Sequence, residues 1–174
     1  SNMEGSRRKC TTEDMDHMFN MFNDWMNEGL IHIGCRDDKI IPSGLYYKEF
    51  SEITGVHFLN GEELSKWKDE VDWTMVKVAE DSLLTLECLL RGFKNRVSDE
   101  FVSDVYSSMW INKGGLENIR SSQVHYEENM KLMNNPRYKP YVWSKNSREI
   151  KNYGIITDFK FKYKQAYDSS KYKN

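Results

Sequence analysis

The sequence has no run of about 18 consecutive apolar residues, the length that a transmembrane helix requires, so we predict no contact with a membrane. The first residues also lack the apolar run of a secretory signal peptide, and we therefore expect an intracellular protein. Cysteine is scarce: Cys10, Cys35 and Cys88 are odd in number and widely spaced. This pattern predicts free thiols in a reducing compartment rather than a disulfide framework.

Sequence motifs that would carry chemistry are also missing. There is no HExxH pattern, no glycine-rich phosphate loop and no GxSxG elbow. His32 and Cys35 have the spacing of half a zinc site, but no second pair completes it. We therefore predict no catalytic residue, metal ion, cofactor or small-molecule substrate, and expect that the chain is not an enzyme.

One short fragment keeps a catalytic hypothesis open. Asp158 and Lys160 are spaced like the last acid and the lysine of a metal-dependent nuclease strand. Such a site needs further carboxylates to hold magnesium, and a lysine to help polarise water. An exposed strand face would produce the same pattern, so the nuclease is the weakest of three functional hypotheses.

Composition and charge divide the chain of 174 residues into three parts. A hydrophobic fraction of 39% and an aromatic fraction of 13% predict a folded core. We interpret residues 1–11 as a tag remnant with a frayed N-terminus, and residues 12–136 as a helical domain. Residues 137–174 hold ten Lys/Arg and three Asp/Glu, a net charge of +7, and predict a basic, aromatic-rich extension. This extension either packs on the domain or remains free.

The periodicity of apolar residues predicts a mainly α fold, a compact bundle of five to six helices with a small β-hairpin or edge strand. The clearest helix covers Thr12–Gly29, where apolar residues recur at spacings of three and four. Runs at 30–33 and 40–41 predict the hairpin. Further helices are predicted over 44–54 and after the cap Asn60. Helices are also predicted over 73–93 with a break near residues 81–82, over 98–109 with Ser98 as the cap, and over 122–133.

The extension supports a nucleic-acid hypothesis. Within residues 155–164, Phe159, Phe161 and Tyr163 alternate with lysines, which predicts a strand with one aromatic and one basic face. Lysines attract phosphate, and exposed rings stack on unpaired bases. The candidate DNA- or RNA-binding residues are Arg148, Lys151, Lys160, Lys162 and Lys164. Alternatively, the aromatic face packs on the body as an edge strand.

The leading hypothesis is a protein partner. Tryptophan dominates the energetics of protein interfaces. Trp110 and Trp143 lie at the ends of predicted elements rather than on core stripes, so we predict that they are exposed and anchor a partner.

Residues 14–122 resemble the SPK domain, a module expanded in nematodes that occurs with SET, PHD and kinase domains. The resemblance rests on the order of segments 22–26, 47–55, 64–71, 89–93 and 97–102. The segment 47–55, for example, reads like the family's lysine–acid–Phe…Thr–Gly stretch. The resemblance implies a nuclear or chromatin-linked interaction module, with a role in gene silencing and no catalytic residues.

Overall fold

The protein is described from a computed structural model that covers residues 9–37, 46–54, 56–103, 121–150 and 154–171. The first helix, α1 (Thr12–Asn27), begins where its sequence predicts. Thr11 and Asp14 form a capping box, in which the Thr11 hydroxyl accepts from the Asp14 amide and the Asp14 carboxylate accepts from the Thr11 amide. Met18, Phe22 and Trp25 of the apolar stripe are buried, whereas Met15 and Phe19 are exposed, and the helix prediction is confirmed.

Within the described residues the chain forms six strands and five α-helices, joined in part by short 3-10 turns. The strands are β1 (His32–Asp37), β2 (Tyr47–Glu49), β3 (His57–Leu59), β4 (Asn95–Ser103), β5 (Val142–Ile150) and β6 (Gly154–Phe161). The remaining helices are α2 (Gly61–Ser65), α3 (Glu80–Leu90), α4 (Ser122–Asn134) and α5 (Tyr163–Ser170). No described helix combines the length and the apolar character needed to cross a membrane.

Four strands form a mixed sheet in the order β2-β4-β1-β3. The two central strands, β1 and β4, run parallel, with His32 opposite Asn95, whereas β2 and β3 pair antiparallel on the outside. The register between the central strands shifts after Ser98. There the Ser98 hydroxyl accepts from the amides of Glu100 and Phe101, which satisfies two donors that the irregular ladder leaves free.

Two larger hydrophobic clusters hold these layers together. One packs α1 on the sheet through Met18, Phe22, Trp25, Leu30, Ile33, Cys35 and Phe101. The other joins α3 and α4 to the C-terminal segment, through Leu83, Leu86, Leu89, Leu132, Tyr138, Tyr141, Val142, Tyr163 and Ala166. The second cluster contains residues from before and after residue 136, so the segment after residue 136 contributes directly to the core.

The predicted mainly α bundle is wrong: the fold combines α-helices with a mixed four-stranded sheet and a β5–β6 hairpin. The reason lies in His32–Arg36 of β1 and in Asn95–Ser98 of β4, which are all buried. A strand with both faces buried lacks the alternation that identifies a half-exposed strand. These strands also bury polar residues such as His32, Asn95 and Ser98, which hides their apolar character further.

Several local predictions fail, and others hold. The helix predicted over 98–109 is strand β4 as far as Ser103, and the helix predicted over 44–54 contains strand β2 instead. The helix predicted over 73–93 begins only at Glu80, close to the predicted break. Strand β1 pairs with β3 and β4, while residues 40–41 of the predicted hairpin lie outside the described residues. The Asn60 cap, α4 and β6 are confirmed.

Candidate binding cleft

A cavity of about 280 Å³ opens where the start of α3 meets α4 and β6, and we call it the α3–α4 cleft. Its wall combines carboxylates, an imidazole, an amide and two phenylalanine rings. The residues come from four separate segments of the chain: Glu52, Thr54, Val78, Ala79, Glu80, Asp81, Ser82, His125, Asn129, Ile156, Asp158, Phe159 and Phe161.

The first turn of α3 forms one side of the cleft, and the backbone of the residue that precedes it is strained. Ala79, the N-cap, has φ +87° and ψ 19° and makes no side-chain cap. A left-handed alanine costs roughly 1–3 kcal/mol, and such strain is concentrated at functional sites. Glu80 and Asp81 follow directly, where the positive end of the helix dipole stabilises their negative charge.

Glu52 faces this helix start from the loop after β2. The Ser82 hydroxyl donates a short hydrogen bond to the Glu52 carboxylate. Burial raises the pKa of Glu52, the negative charge of Asp81 raises it further, and the bond from Ser82 opposes both only in part. The pKa of Glu52 therefore lies above its ordinary value.

A hydrogen-bonded chain links the rim of the cleft to the core. Asp81 lies 3.0 Å from His57 Nε2, and His57 Nδ1 lies 3.0 Å from His32 Nε2. Burial lowers the pKa of His32 to about 3, and the neighbouring His57 lowers it as well. His32 is therefore neutral at physiological pH, so His57 lies between a neutral imidazole and a carboxylate.

His125 and Asn129, one turn apart on α4, face the helix start across the cleft. The Asn129 amide donates to the His125 carbonyl over 2.9 Å, which fixes its orientation. Burial lowers the pKa of His125, and the charge of Asp158 opposes this only in part. The ring of Phe159 lies 6.3 Å from His125 and 6.1 Å from Tyr126, so aromatic groups line this side.

A serine nucleophile and a metal centre each require particular groups beside the reacting atom. Ser82 donates to Glu52 rather than to an imidazole, so it lacks the base that a serine nucleophile needs. Within the part of the chain that the structure describes, no three His, Cys, Asp or Glu residues are close enough to hold a metal ion. Asp158 lines the cleft and Lys160 is exposed, and among the described residues no group of carboxylates around Asp158 is close enough to hold a magnesium ion.

The predicted binding residues whose side chains the structure describes do not lie in this cleft. Trp143 is on β5 and is 37% exposed, with the Lys162 ammonium 5.0 Å from the centre of its ring. Lys160 is exposed and lies opposite Trp143 in the β5–β6 register. We call these three residues the hairpin patch. Lys164 instead lies on α5, 2.7 Å from the Asp168 carboxylate.

The side chains of three other predicted site residues are not among those that the structure describes. Trp110 and Lys151 lie outside the described residues, and Arg148 belongs to β5 but its side chain is not among the described groups. The aromatic residues predicted for base stacking pack inward. Phe159 and Phe161 contact the core cluster of α3 and α4, and Tyr163 belongs to it.

The sequence analysis missed the α3–α4 cleft because its residues share no motif. Glu52, Asp81, His125 and Asp158 are far apart in the chain and meet only through tertiary packing. One local signal was present, the predicted helix break at residues 81–82, which lies beside the true helix start and the strained Ala79.

Comparison with protein-family models, with curated proteins and with solved structures finds no match to this chain. The resemblance to the SPK domain therefore stays a prediction.

Proposed function

We propose that the chain is a non-enzymatic protein-interaction module that binds a segment of a partner protein in the α3–α4 cleft. The observation that best supports this is the wall of the cleft, which has fixed polar groups and aromatic rings but no serine paired with a base. Concave sites lined by apolar surface and a few oriented polar groups are typical of binding sites. The assignment to nuclear, chromatin or gene-silencing machinery rests on the resemblance to the SPK domain.

Peptide selection against the whole protein tests this proposal. A library of displayed random peptides is selected on the wild-type chain and counter-selected on Thr54→Trp, which places a large ring in the cleft. Thr12→Trp, at the exposed first turn of α1, is the matched control. Circular dichroism and thermal unfolding establish that both variants fold.

We expect peptides that bind the wild type and Thr12→Trp equally but bind Thr54→Trp at least about tenfold more weakly, a loss of roughly 1.4 kcal/mol. Peptides that bind all three proteins alike, or no peptide at all, would refute the cleft as the interaction site.

A second candidate function, nucleic-acid binding, is favoured by the hairpin patch. Lys160 and Lys162 lie beside the exposed ring of Trp143, a combination that suits a single strand through phosphate attraction and stacking on one ring. The inward packing of Phe159, Phe161 and Tyr163 limits stacking to this one tryptophan, so we rank this function second.

Fluorescence anisotropy with labelled single-stranded DNA and RNA tests the second candidate. Lys160→Glu/Lys162→Glu is compared with Lys66→Glu/Lys68→Glu, which makes the same change in charge on exposed lysines near α2. If both hairpin lysines contact phosphate, the first variant lowers the slope of log affinity against log salt by about 1.4. Equal effects of the two variants would show non-specific attraction and rule out a site on the hairpin.

A further inference from the structure

We propose that His32, His57 and Asp81 form a proton-operated switch, in which a neutral His57 ties the start of α3 to the sheet and a protonated His57 separates from His32. The three side chains come from β1, β3 and α3, and each of the two contacts between them is 3.0 Å long. Asp81 also lines the α3–α4 cleft, so the switch acts at the rim of that cleft. It is a property of the chain alone and does not depend on which ligand the cleft binds.

The two contacts assign one tautomer to each ring. A carboxylate only accepts hydrogen bonds, so His57 Nε2 carries a proton and donates it to Asp81. A neutral imidazole has a single N–H group, and His57 Nδ1 is therefore an acceptor. His32 Nε2 must then be the donor to His57, which leaves His32 Nδ1 without a proton. This nitrogen is buried, and among the described residues it has no hydrogen-bond partner.

An added proton is incompatible with the two hydrogen bonds as they stand. On His57 Nδ1 it would face the N–H of His32, and the other tautomer of His32 would bury an N–H at Nδ1 without an acceptor in the described part of the chain. On His32 it would charge a fully buried ring, and burial already lowers the pKa of this residue to about 3. The His57 side chain is 18% exposed and contacts Asp81, so a protonated His57 keeps the carboxylate and separates from His32.

The direction of the pH dependence follows from this arrangement. The open form, with His57 separated from His32, binds one more proton than the closed form, so its population rises as the pH falls. The closed form is complete at high pH, where both rings are neutral.

Other ionisable groups lie close to Asp81 and bear on the same pH range. Glu80 precedes it on α3, and the charge of Asp81 acts on Glu52, in the loop after β2, and on Tyr163 of α5. Burial raises the pKa of Tyr163 well above its ordinary value, so this hydroxyl stays neutral in the range where imidazoles titrate. Burial raises the pKa of Glu52 as well, which moves its proton uptake toward that range. A control variant therefore removes the Glu52 carboxylate.

Side-chain ¹H–¹⁵N correlation spectra of the whole chain test the proposal, because they distinguish the two tautomers and the charged form of each histidine. They are recorded together with backbone amide spectra from about pH 8 to about pH 5. In His57→Gln, the new amide can accept from His32 and donate to Asp81 but does not titrate, so it holds the switch closed. The controls are His17→Gln, which changes an exposed histidine of α1, and Glu52→Gln.

At the upper end of this range we expect His32 and His57 to carry their single proton at Nε2. As the pH falls, His57 should become charged while His32 stays neutral. The backbone amide of Gly34, which lies opposite His57 in the β1–β3 pair, should shift with the same midpoint. This shift should persist in His17→Gln and Glu52→Gln and should be lost in His57→Gln.

Two kinds of result would overturn the proposal. A His32 ring that carries its proton at Nδ1 in the neutral protein would contradict the assigned tautomers, and this measurement needs no variant. A Gly34 shift that persists in His57→Gln, or a His57 that becomes charged while Gly34 stays unchanged, would show that proton uptake does not open the contact between His57 and His32.

Discussion

Replacing Glu87 with glutamine should destabilise the protein strongly, because this buried carboxylate connects α3 to the C-terminal segment. Glu87 is 1% exposed. Its oxygens accept from Arg137 Nε at 2.6 Å, from Arg137 Nη2 at 2.9 Å and from the Tyr138 hydroxyl at 2.7 Å. Arg91 Nε lies 3.3 Å away. A neutral glutamine keeps the size of the side chain but replaces one carboxylate oxygen with an NH2 group. This group is a donor and would face the donors of Arg137 or Tyr138.

The expected loss follows from the exposure of the partners. Removing one member of a fully buried ion pair costs about 3–5 kcal/mol, and a single hydrogen bond to a charged group contributes about 1.5–3 kcal/mol. The Arg137 side chain is 41% exposed and that of Arg91 is 20% exposed, so both recover hydration from water. We therefore expect Glu87→Gln to lower the free energy of unfolding by about 2–3 kcal/mol.

The effect should depend on pH in one direction. Burial alone would raise the pKa of Glu87, but the bonds from Arg137 and Tyr138 outweigh it and lower that pKa below its ordinary value. A lowered carboxyl pKa gives stability that is fully present above the unfolded pKa, about 4.3, and that is lost as pH falls through the folded pKa. The difference between wild type and Glu87→Gln should therefore shrink in acid.

Urea unfolding followed by tryptophan fluorescence at pH 7 and in acid measures both effects. Glu127→Gln, an exposed substitution on α4, is the control and should change stability by less than about 0.5 kcal/mol. If Glu87→Gln loses no more than this control at pH 7, the carboxylate does not stabilise the packing of the C-terminal segment.

Three further predictions test the packing. In Gly34→Ala, the new Cβ would lie 2.1 Å from Ile53 Cγ2 and 2.6 Å from the Val56 carbonyl oxygen, so we expect a loss of at least about 1–3 kcal/mol in thermal unfolding; unchanged stability would contradict the close contact of β1 with this loop. Because burial lowers the pKa of His32 to about 3, its contribution is complete above the unfolded pKa of about 6.5 and is lost as pH falls toward 3. In His32→Gln, the free energy of unfolding measured with urea should therefore change less with pH over this range than in the wild type. An unaltered pH profile would argue against a neutral, buried imidazole. Ending the chain at Asn135 removes five side chains from the core, each contributing about 1.5–3 kcal/mol, so circular dichroism should show an unfolded chain; a cooperative thermal transition would refute this.

Helix α1 and most of strand β6 could be predicted from the sequence, and the buried segments of β1 and β4 could not. Helix α1 shows a regular apolar stripe and a Thr11 cap, and β6 lies within the stretch with period-two alternation. In contrast, β1 and β4 pair across more than 60 positions of the chain, a register set by tertiary contacts. Ser98 was misinterpreted as a helix cap because its hydroxyl does bind nearby amides, but it does so at an irregular strand pair.

The packing of the C-terminal segment also changes the basis for choosing between the two binding functions. The net charge of +7 predicted one basic surface over residues 137–174. In the structure, however, the charged side chains of β6 lie on two different surfaces. Asp158 and Phe159 line the acidic α3–α4 cleft, whereas Lys160 belongs to the hairpin patch beside Trp143. Strand β6 thus contributes to two surfaces of opposite charge. Because the two surfaces use different residues, the reversal of Lys160 and Lys162 should abolish any nucleic-acid binding and leave peptide binding in the cleft intact.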